Sequence, residues 1–313
     1  MTNDQSNILV SICCITYNHA PFIRKALDGF LMQQAPSCVP QGSKMSDWCE
    51  ILIHDDCSTD GTTEIVKEYA AKYPDRIFPI YETENQYRKV GTKGIDVYNY
   101  NRVRGKYIAY CEGDDYWTDA HKLQKQVDFM ETHPDYSICW HRCKHYYTDT
   151  KQWGDDGCGK LLKNGVDGVD IDMDVFFKSW YTQPLSMLFR SSVFDVRWRD
   201  RYEYYRDMHE IYLLLKQGKG YLFFFIGGVY TRHEGGISSM ISLAKQYQIS
   251  YDMASEWYRV CPDEYVQKFY ADTLQWLITK HAKIEGTSRI SMIWTLFKLT
   301  RNVKHLIKNI KFV

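Results

Sequence analysis

The sequence has no net charge and no long apolar run. Among its 313 residues, 39 Lys and Arg balance 39 Asp and Glu, so no overall field attracts a polyanion, and we expect no nucleic-acid partner. The longest late apolar run, 221–230, is about half as long as a membrane-spanning helix requires. The first residues lack the pattern of a secretory leader. Together with ten Cys, including the adjacent Cys13 and Cys14, these features predict a cytoplasmic protein with free thiols.

Common nucleotide fingerprints and a zinc site are also missing. The turn at 16–19 lacks the glycine spacing of a dinucleotide site, and no G-x-x-x-x-G-K-[ST] motif occurs, which excludes simple NAD and P-loop interpretations. One Cys/His pattern alternates along a predicted strand, at Cys139, His141, Cys143 and His145. Its outer members would lie about 20 Å apart, too far for the four to bind one zinc ion.

Short apolar runs alternate with helical patterns in the first half of the chain. The predicted strands are 8–16, 50–54, 77–81 and 106–111. Each is followed by a predicted helix, at 21–34, 62–73, 94–103 and 122–133 respectively. This alternation predicts an α/β fold with a mostly parallel sheet between helices. Further on, we predict a loop at 153–168, a helix at 207–217, and strands at 138–147, 185–189, 222–225 and 229–233. The second half therefore extends the sheet as a mixed one.

The chain beyond residue 239 is predicted to be helical, which gives two domains, 1–239 and 240–313. Apolar residues near the end form one helical stripe, made of Met292, Leu296, Leu299, Val303, Leu306, Ile310 and Val313. Lys and Arg lie mainly opposite, as is typical of helices on anionic membranes. Residues 288–313 are therefore a candidate for peripheral contact at the inner face of the membrane. The alternative is that the stripe packs on the domain at 1–239 or on a second subunit.

Carboxylates cluster where two predicted strands end. Glu112, Asp114 and Asp115 follow the run 107–111, and Asp56 follows the run 50–53. Because ligands of open parallel sheets bind outside the carboxyl ends of the strands, both turns should open on one crevice. Crowded carboxylates favour a shared hard cation, Mn²⁺ or Mg²⁺. Asp56 can instead accept hydrogen bonds from a base or a ribose, and helix capping is the alternative for either turn.

Three ordered motifs resemble those of family-2 glycosyltransferases with the GT-A fold. They are VSICCITYN at 10–18, DDCSTDGT at 55–62 and EGDDYW at 112–117. The resemblance covers roughly residues 8–239. It implies a GT-A, Rossmann-like mixed sheet flanked by helices, with a C-terminal helical extension. It also implies a nucleotide-sugar donor, with UDP as the expected nucleotide, and a glycan or lipid-linked acceptor in cell-envelope or exopolysaccharide synthesis.

The resemblance also assigns roles to single residues. The nucleotide-binding positions of the family map to Thr16, Tyr17, Asn18, Asp56, Asn85 and Glu112. Glu112 stands where the family's D-x-D motif has Asp, so the ribose, the metal or both are its candidate partners. Asp114 and His233 are the expected metal ligands, and Asp115 and Arg232 are expected near the diphosphate or behind the ligands. Residues 230–233 also resemble the family's Tyr-Arg-x-His segment, with Thr231 at the Arg position and Arg232 following it.

The family places a general base near the start of the predicted helix at 207–217. Asp207 matches this position, and a helix N-terminus favours the ionised carboxylate that a general base needs. His209 and Glu210 are alternative bases. Asp207 could instead serve only as a helix cap. The resemblance thus implies inverting, metal-dependent transfer to an acceptor hydroxyl. Two other classes stay open: a nucleotidyltransferase, which releases pyrophosphate, and a non-catalytic sugar-nucleotide-binding domain.

Overall fold

The central strands are apolar runs whose side chains are buried on both faces. Val10–Thr16 and Cys49–Asp55 are buried almost throughout, as expected where helices cover both faces of a parallel sheet. The computed structural model describes residues 8–91, 99–178, 181–236 and 241–302. Within them the strands belong to one mixed sheet, which confirms the predicted architecture.

The described chain contains ten strands and nine helices with complete bounds. The strands are β1 (Val10–Thr16), β2 (Cys49–Asp55), β3 (Ile77–Tyr81), β4 (Tyr107–Tyr110), β5 (Tyr116–Trp117), β6 (Tyr136–Tyr147), β7 (Gln152–Asp155), β8 (Gly168–Ile171), β9 (Leu188–Arg190) and β10 (Lys219–Arg232). The helices are α1 (Ile23–Leu31), α2 (Thr62–Lys72), α3 (Gln86–Val90), α4 (Lys122–Thr132), α5 (Met173–Lys178), α6 (Asp207–Leu215), α7 (Leu243–Val260), α8 (Glu264–Thr279) and α9 (Arg289–Thr300).

The strand order brings the ends of β1, β2 and β4 to one edge of the sheet. The order is β3-β2-β1-β4-β9-β6-β10-β5, with β7 paired to β6 and β8 paired to β10. Strands β1 to β4 run parallel to one another, whereas β9 is antiparallel to both β4 and β6. Thr16, the last residue of β1, lies opposite Asp55, the last residue of β2. The turns that follow these strands therefore meet at the carboxyl edge.

Some elements differ from the sequence prediction. The two strands predicted at 222–225 and 229–233 form the single strand β10, which continues through irregularities between Phe223 and Gly228. A Cβ at Gly227 would lie 2.7 Å from the His141 ring, so the glycine allows close passage and does not end the strand. The strand predicted at 185–189 starts later, at Leu188, after a 3₁₀ turn that Pro184 begins.

Two predicted segments lie in less regular parts of the chain. The loop predicted at 153–168 begins within β7 and contains a 3₁₀ turn at Cys158–Leu161. Residues 94–98 of the helix predicted at 94–103 lie outside the described residues, and α3, just before it, was not predicted.

The chain divides into two compact units. The first contains Met1–Val196 and Arg206–His233, and the second contains Arg197–Tyr205 and Glu234–Val313. The short segment joins the second unit because the Glu256 carboxylate accepts hydrogen bonds from the backbone N–H groups of Glu203 and Tyr204, at 2.9 and 2.8 Å.

The second unit is built around the helices α7 to α9. Met292 and Leu296, two residues of the predicted apolar stripe, are buried in its core, and Leu299 packs against them. The described part of the stripe thus packs within this unit, while 303–313 lie outside the described residues. A search of the described helices finds none with the length and apolar character to span a membrane.

Candidate metal and nucleotide site

Asp114 lies in the turn after β4, with two imidazoles against its carboxylate. Its Oδ2 is 3.0 Å from Nε2 of His233 and 3.8 Å from Nε2 of His19. The three side chains are only 11 to 16% exposed, and their ligand atoms all lie within 4.8 Å of one another. Because neighbouring ligands of an ion with bonds of about 2.1 Å stand about 3 Å apart, small shifts would let all three hold one ion.

Asp114 also belongs to a group of carboxylates with Glu112 and Asp115, one oxygen of each lying within 4.8 Å of the others. Asp115 is buried, and its Oδ1 accepts a hydrogen bond of 2.7 Å from the Thr231 N–H. This bond ties the turn after β4 to the end of β10, two residues before His233. Asp115 therefore fixes the end of β10, which His233 follows, while Asp114 presents its carboxylate to the imidazoles of His19 and His233.

The electrostatics of the turn separate the two aspartates. Burial by itself would raise the pKa of Asp114, but the hydrogen bond with His233 and the electrostatic influence of the nearby His19 ring hold that pKa below its usual value. Burial, together with the charges of Asp114 and Glu112, raises the pKa of Asp115 well above its usual value. Burial lowers the pKa of His19, and nearby His233 lowers it further, against the pull of Asp114. A neutral imidazole beside an ionised carboxylate is a metal-binding combination.

Three buried polar atoms at this turn have no hydrogen-bond partner within the described part of the chain. They are Oδ1 of Asp114, Nδ1 of His19 and Oγ1 of Thr16. Buried polar atoms rarely lack partners, and a missing ion or water is a common explanation. The unpaired atoms and the mixed set of carboxylate and imidazole donors therefore fit a divalent cation with its bound oxygen ligands.

The turn after β1 is held in place by the turn after β2. Asn18 has a positive φ of 54°, a left-handed conformation that Asn tolerates better than most residues. Its N–H donates to Ser58 Oγ at 2.9 Å, and its side-chain oxygen accepts from the Thr59 N–H at 2.9 Å. The His19 N–H then donates to Thr62 Oγ1 at 2.8 Å. The acidic turn after β2 thus supports the backbone of the turn after β1.

Gly113 is required by the close approach of the turns after β1 and β4. A Cβ at this position would lie 2.6 Å from Oγ1 and 2.8 Å from Cβ of Thr16, and 3.0 Å from Cδ1 of Ile23. Real Cβ atoms do not approach other atoms so closely. The glycine between Glu112 and Asp114 is therefore explained by the packing of β4 against β1.

Asp56 and Asn85, both predicted to bind the nucleotide, lie together. The Asp56 carboxylate accepts hydrogen bonds from the N–H groups of Gln86 and Tyr87, at 2.5 and 3.1 Å. Asn85 donates from Nδ2 to the Asp56 carbonyl at 3.2 Å and caps α3 by accepting from the Arg88 N–H at 2.8 Å. Asn85 is thus anchored to the residue that follows β2.

The candidate bases differ in exposure. Asp207 is the first residue of α6, is exposed, and accepts a hydrogen bond from the Met208 N–H at 2.9 Å. His209 is buried, and burial lowers its pKa to about 3. Glu210 is also buried and accepts a hydrogen bond of 3.1 Å from Tyr100. Asp207 is therefore the solvent-facing member of the three.

Two predicted residues and one further residue complete the site. Tyr17 is half-buried in the first turn. Arg232 is exposed, and its guanidinium lies over the rings of Tyr147 and Tyr230, 5.8 and 5.5 Å from their centroids. No role is predicted for His19 from the sequence, although it directly follows the motif at 10–18. Its position beside Asp114 depends on how the first turn bends, which residue spacing does not reveal.

The chain matches the family model described as glycosyl transferase family 2 over residues 11–200. An uncharacterised protein of Mycobacterium tuberculosis is 41% identical over 140 residues, which are 45% of this chain and 36% of that protein. A Bacillus subtilis protein named as a teichuronic acid biosynthesis glycosyltransferase, TuaG, is 35% identical over 39% of this chain and 42% of its own length. The UDP-Glc:α-D-GlcNAc-diphosphoundecaprenol β-1,3-glucosyltransferase WfaP of Escherichia coli is 33% identical over 40% of this chain and 42% of its own. The matched part is thus less than half of each relative.

Solved structures with a similar fold cover almost the whole chain. Staphylococcus aureus TarS 1–349 with UDP-GlcNAc has a TM-score of 0.59 at 16% identity, over 96% of this chain and 79% of that one. The mannosyltransferase PcManGT from Pyrobaculum calidifontis, in complex with GDP-Man and Mn²⁺, has a TM-score of 0.53 at 14% identity, over 96% and 82%. At these identities the likeness concerns the fold, which is GT-A.

Proposed function

Because the chain belongs to glycosyltransferase family 2, we propose that it transfers a sugar from a nucleotide-diphosphate donor to an acceptor hydroxyl with the help of a divalent cation. The observation that carries the proposal is the position of Asp114. Its carboxylate faces two imidazoles and lies among buried atoms that have no hydrogen-bond partner within the described residues. This cluster stands at the carboxyl edge of a parallel sheet, where nucleotides bind in open α/β folds.

The cation would be Mn²⁺ or Mg²⁺, held by Asp114 and His233. When bound, it would stabilise the negative charge that develops on the leaving diphosphate. Asp115 would keep His233 in place through its bond to Thr231. Glu112 would face the ribose or the cation, and Arg232 would have to leave its aromatic neighbours to reach the diphosphate.

The nucleotide would lie along the turns after β1 and β2, against Thr16, Tyr17, Asn18, Asp56 and Asn85. The turns after β1 and β2 are joined by hydrogen bonds, which would give the nucleotide a preformed edge. UDP is the nucleotide we favour, because TarS was solved with UDP-GlcNAc and the name of WfaP specifies UDP-Glc. The GDP-Man complex of PcManGT makes GDP the second candidate.

Asp207 would act as the general base. Its carboxylate would take the proton of the acceptor hydroxyl while that oxygen bonds to the anomeric carbon, and the bond from this carbon to the diphosphate oxygen would break. Attack from the side opposite the leaving group would invert the configuration. The exposure of Asp207 at a helix N-terminus supports this role, whereas His209 and Glu210 are buried.

The acceptor would be a glycan or lipid-linked sugar of the cell envelope. The name of WfaP specifies a sugar on diphosphoundecaprenol, and such an acceptor would be presented at a membrane. Residues 288–313 would supply peripheral contact. Since the described part of the apolar stripe is packed inward, the contact would use the exposed Ile290 and Trp294 beside Lys298 and Arg301.

The direct test is product analysis with labelled nucleotide sugars, with and without Mn²⁺. A thermal-shift screen would first identify the donor, since a ligand that binds the native state raises its stability. We expect nucleoside diphosphate to be released only when a divalent cation is present. Release of pyrophosphate would favour a nucleotidyltransferase, and donor binding without any turnover would favour a binding domain.

A further inference from the structure

We propose that His19 is a third protein ligand of the cation, so that two imidazoles and one carboxylate bind the metal before any nucleotide arrives. The proposal deepens the function proposed above and rests on it, because Asp114 and His233 are the two ligands assigned there. His19 comes from a different segment, between β1 and α1. The three protein ligands would therefore come from the segments that follow β1, β4 and β10.

The distances favour an ion between His19 and Asp114 over a direct hydrogen bond. His19 Nε2 lies 3.8 Å from Asp114 Oδ2, which is beyond hydrogen-bonding distance. An ion with bonds of about 2.1 Å to each atom would bridge such a gap. His233 approaches the same oxygen from β10, and the two imidazole rings are nearly perpendicular, with centroids 5.9 Å apart. The rings thus converge on the carboxylate without stacking on each other.

The backbone holds His19 ready for this role. Its N–H donates to Thr62 Oγ1 at 2.8 Å, and its carbonyl accepts from the N–H groups of Phe22 and Ile23, both at 2.9 Å. The ring is largely buried, which limits its rotation. A residue fixed in this way loses little conformational freedom when it binds a ligand, which raises affinity.

The donor set predicts which cations the site prefers. Imidazole nitrogen suits the transition metals, whereas Mg²⁺ and Ca²⁺ prefer oxygen ligands. A site with two nitrogen donors and one oxygen donor should therefore select Mn²⁺ or Co²⁺ over Mg²⁺ without help from a nucleotide. With Asp114 and His233 alone, this preference would be weaker.

The test is Mn²⁺ binding by the full chain in the absence of nucleotide, measured from the electron paramagnetic resonance signal of the free ion. We expect His19→Ala to weaken Mn²⁺ binding by at least about tenfold, since even the loss of an outer partner of a metal ligand costs that much. His121→Ala, which changes an exposed His that contacts Gln124, is the matched control and should bind like the wild type. With ¹⁵N-labelled histidine, pulsed measurements should detect two bound imidazoles in the wild type and one in His19→Ala.

A second variant covers the case in which His19→Ala fails to fold. His19→Gln keeps a polar side chain but replaces nitrogen by an amide oxygen, so we expect the preference for Mn²⁺ over Mg²⁺ to fall. Equal Mn²⁺ affinity and one bound imidazole in both wild type and His19→Ala would overturn the inference. With that result, the proposed function would still stand if Asp114→Asn no longer bound Mn²⁺ and sugar transfer by the wild type still required Mn²⁺. A wild type that binds no Mn²⁺, even with nucleoside diphosphate, would contradict the metal in both proposals.

Discussion

Lys122 is a buried cation at the start of α4, with no hydrogen-bond partner for its Nζ among the described residues. Its ammonium lies 3.8 Å from the centroid of the Trp117 ring, and the aromatic face compensates part of the lost hydration. Burial lowers the pKa of Lys122 to about 7. The fold thus carries a lysine whose charged form is disfavoured near neutral pH.

This lysine should make stability depend on pH. The unfolded chain keeps the proton up to a pKa of about 10.4, whereas the folded chain loses it near 7. The unfolded state therefore binds more protons between these values, and Lys122 should raise the free energy of unfolding with pH by up to about 1.4 kcal/mol per unit. Lys122→Met should be more stable than the wild type at pH 7 and should lack this rise.

Urea unfolding at pH 7, 8 and 9 measures the effect as the difference between wild type and variant. The buried thiols oppose the rise in both proteins, so the difference isolates the lysine. Lys125→Met, on an exposed residue of the same helix that pairs with Asp119, is the control and should leave the slope unchanged. Parallel pH profiles of wild type and Lys122→Met would contradict the account.

Asp207→Asn tests the base. The amide cannot take a proton, so we expect transfer to fall by at least about a hundredfold, within the usual range for a general base. Donor binding, measured by calorimetry with Mn²⁺, should stay close to that of the wild type. Asp174→Asn, an exposed Asp in the first turn of α5, should transfer normally. Near-normal turnover by Asp207→Asn would reject Asp207 as the base.

The contrast between Asp114 and His19 shows what single residues reveal in the sequence. Asp114 belongs to a motif whose carboxylates follow a buried strand, so its position at the sheet edge could be predicted. His19 reaches Asp114 because Asn18 adopts a positive φ and because Thr62 Oγ1 accepts a hydrogen bond from the His19 N–H. These are contacts between turns distant in sequence, and no local pattern contains them.

The packing of β4 against β1 gives a prediction for Gly113. The Cβ of Gly113→Ala would push against Thr16 and Ile23, so we expect a loss of about 1 to 3 kcal/mol, typical of overpacking. The displaced turn should also bind Mn²⁺ more weakly. Gly159→Ala is a matched control, because an added Cβ there has no neighbour within 4 Å. Equal melting temperatures and equal Mn²⁺ affinity for the two variants would refute this explanation of the glycine.

Strands in the first half could be predicted closely, whereas β10 could not. The runs at β1 to β4 are apolar and end at turns, so their bounds differ from the prediction by at most two residues. In β10 the glycines at 227 and 228 indicate a break, yet pairing with β6 continues across them through shifts in register. Long-range pairing therefore overrides the local signal.

The helices of the second unit give a prediction about partners of the whole molecule. The full chain should sediment with vesicles of anionic lipid, and Trp294→Ser should weaken this binding by about tenfold, as expected for an apolar side chain that leaves water. Trp153→Ser, on an equally exposed Trp of β7, is the control and should bind normally. Binding unaffected by Trp294→Ser would exclude α9 as the contact.

Convergence across the first unit is the central feature of the molecule. His19, Asp114 and His233 are distant in the chain, yet parallel strand order and the bond from Asp115 to β10 bring them together. The strand-end rule predicted the meeting of the acidic turns. The approach of His233, after β10, to Asp114 could be expected only from the family resemblance. No local pattern predicts it, because the pairing of β10 with β6 depends on the whole sheet.

Anomalous X-ray diffraction from crystals grown with Mn²⁺ and UDP tests this convergence most directly. We predict one strong manganese peak about 2.2 Å from the Asp114 carboxylate and from Nε2 of His233, with a diphosphate oxygen on the same ion. A manganese peak bound elsewhere, with none at Asp114, would contradict it.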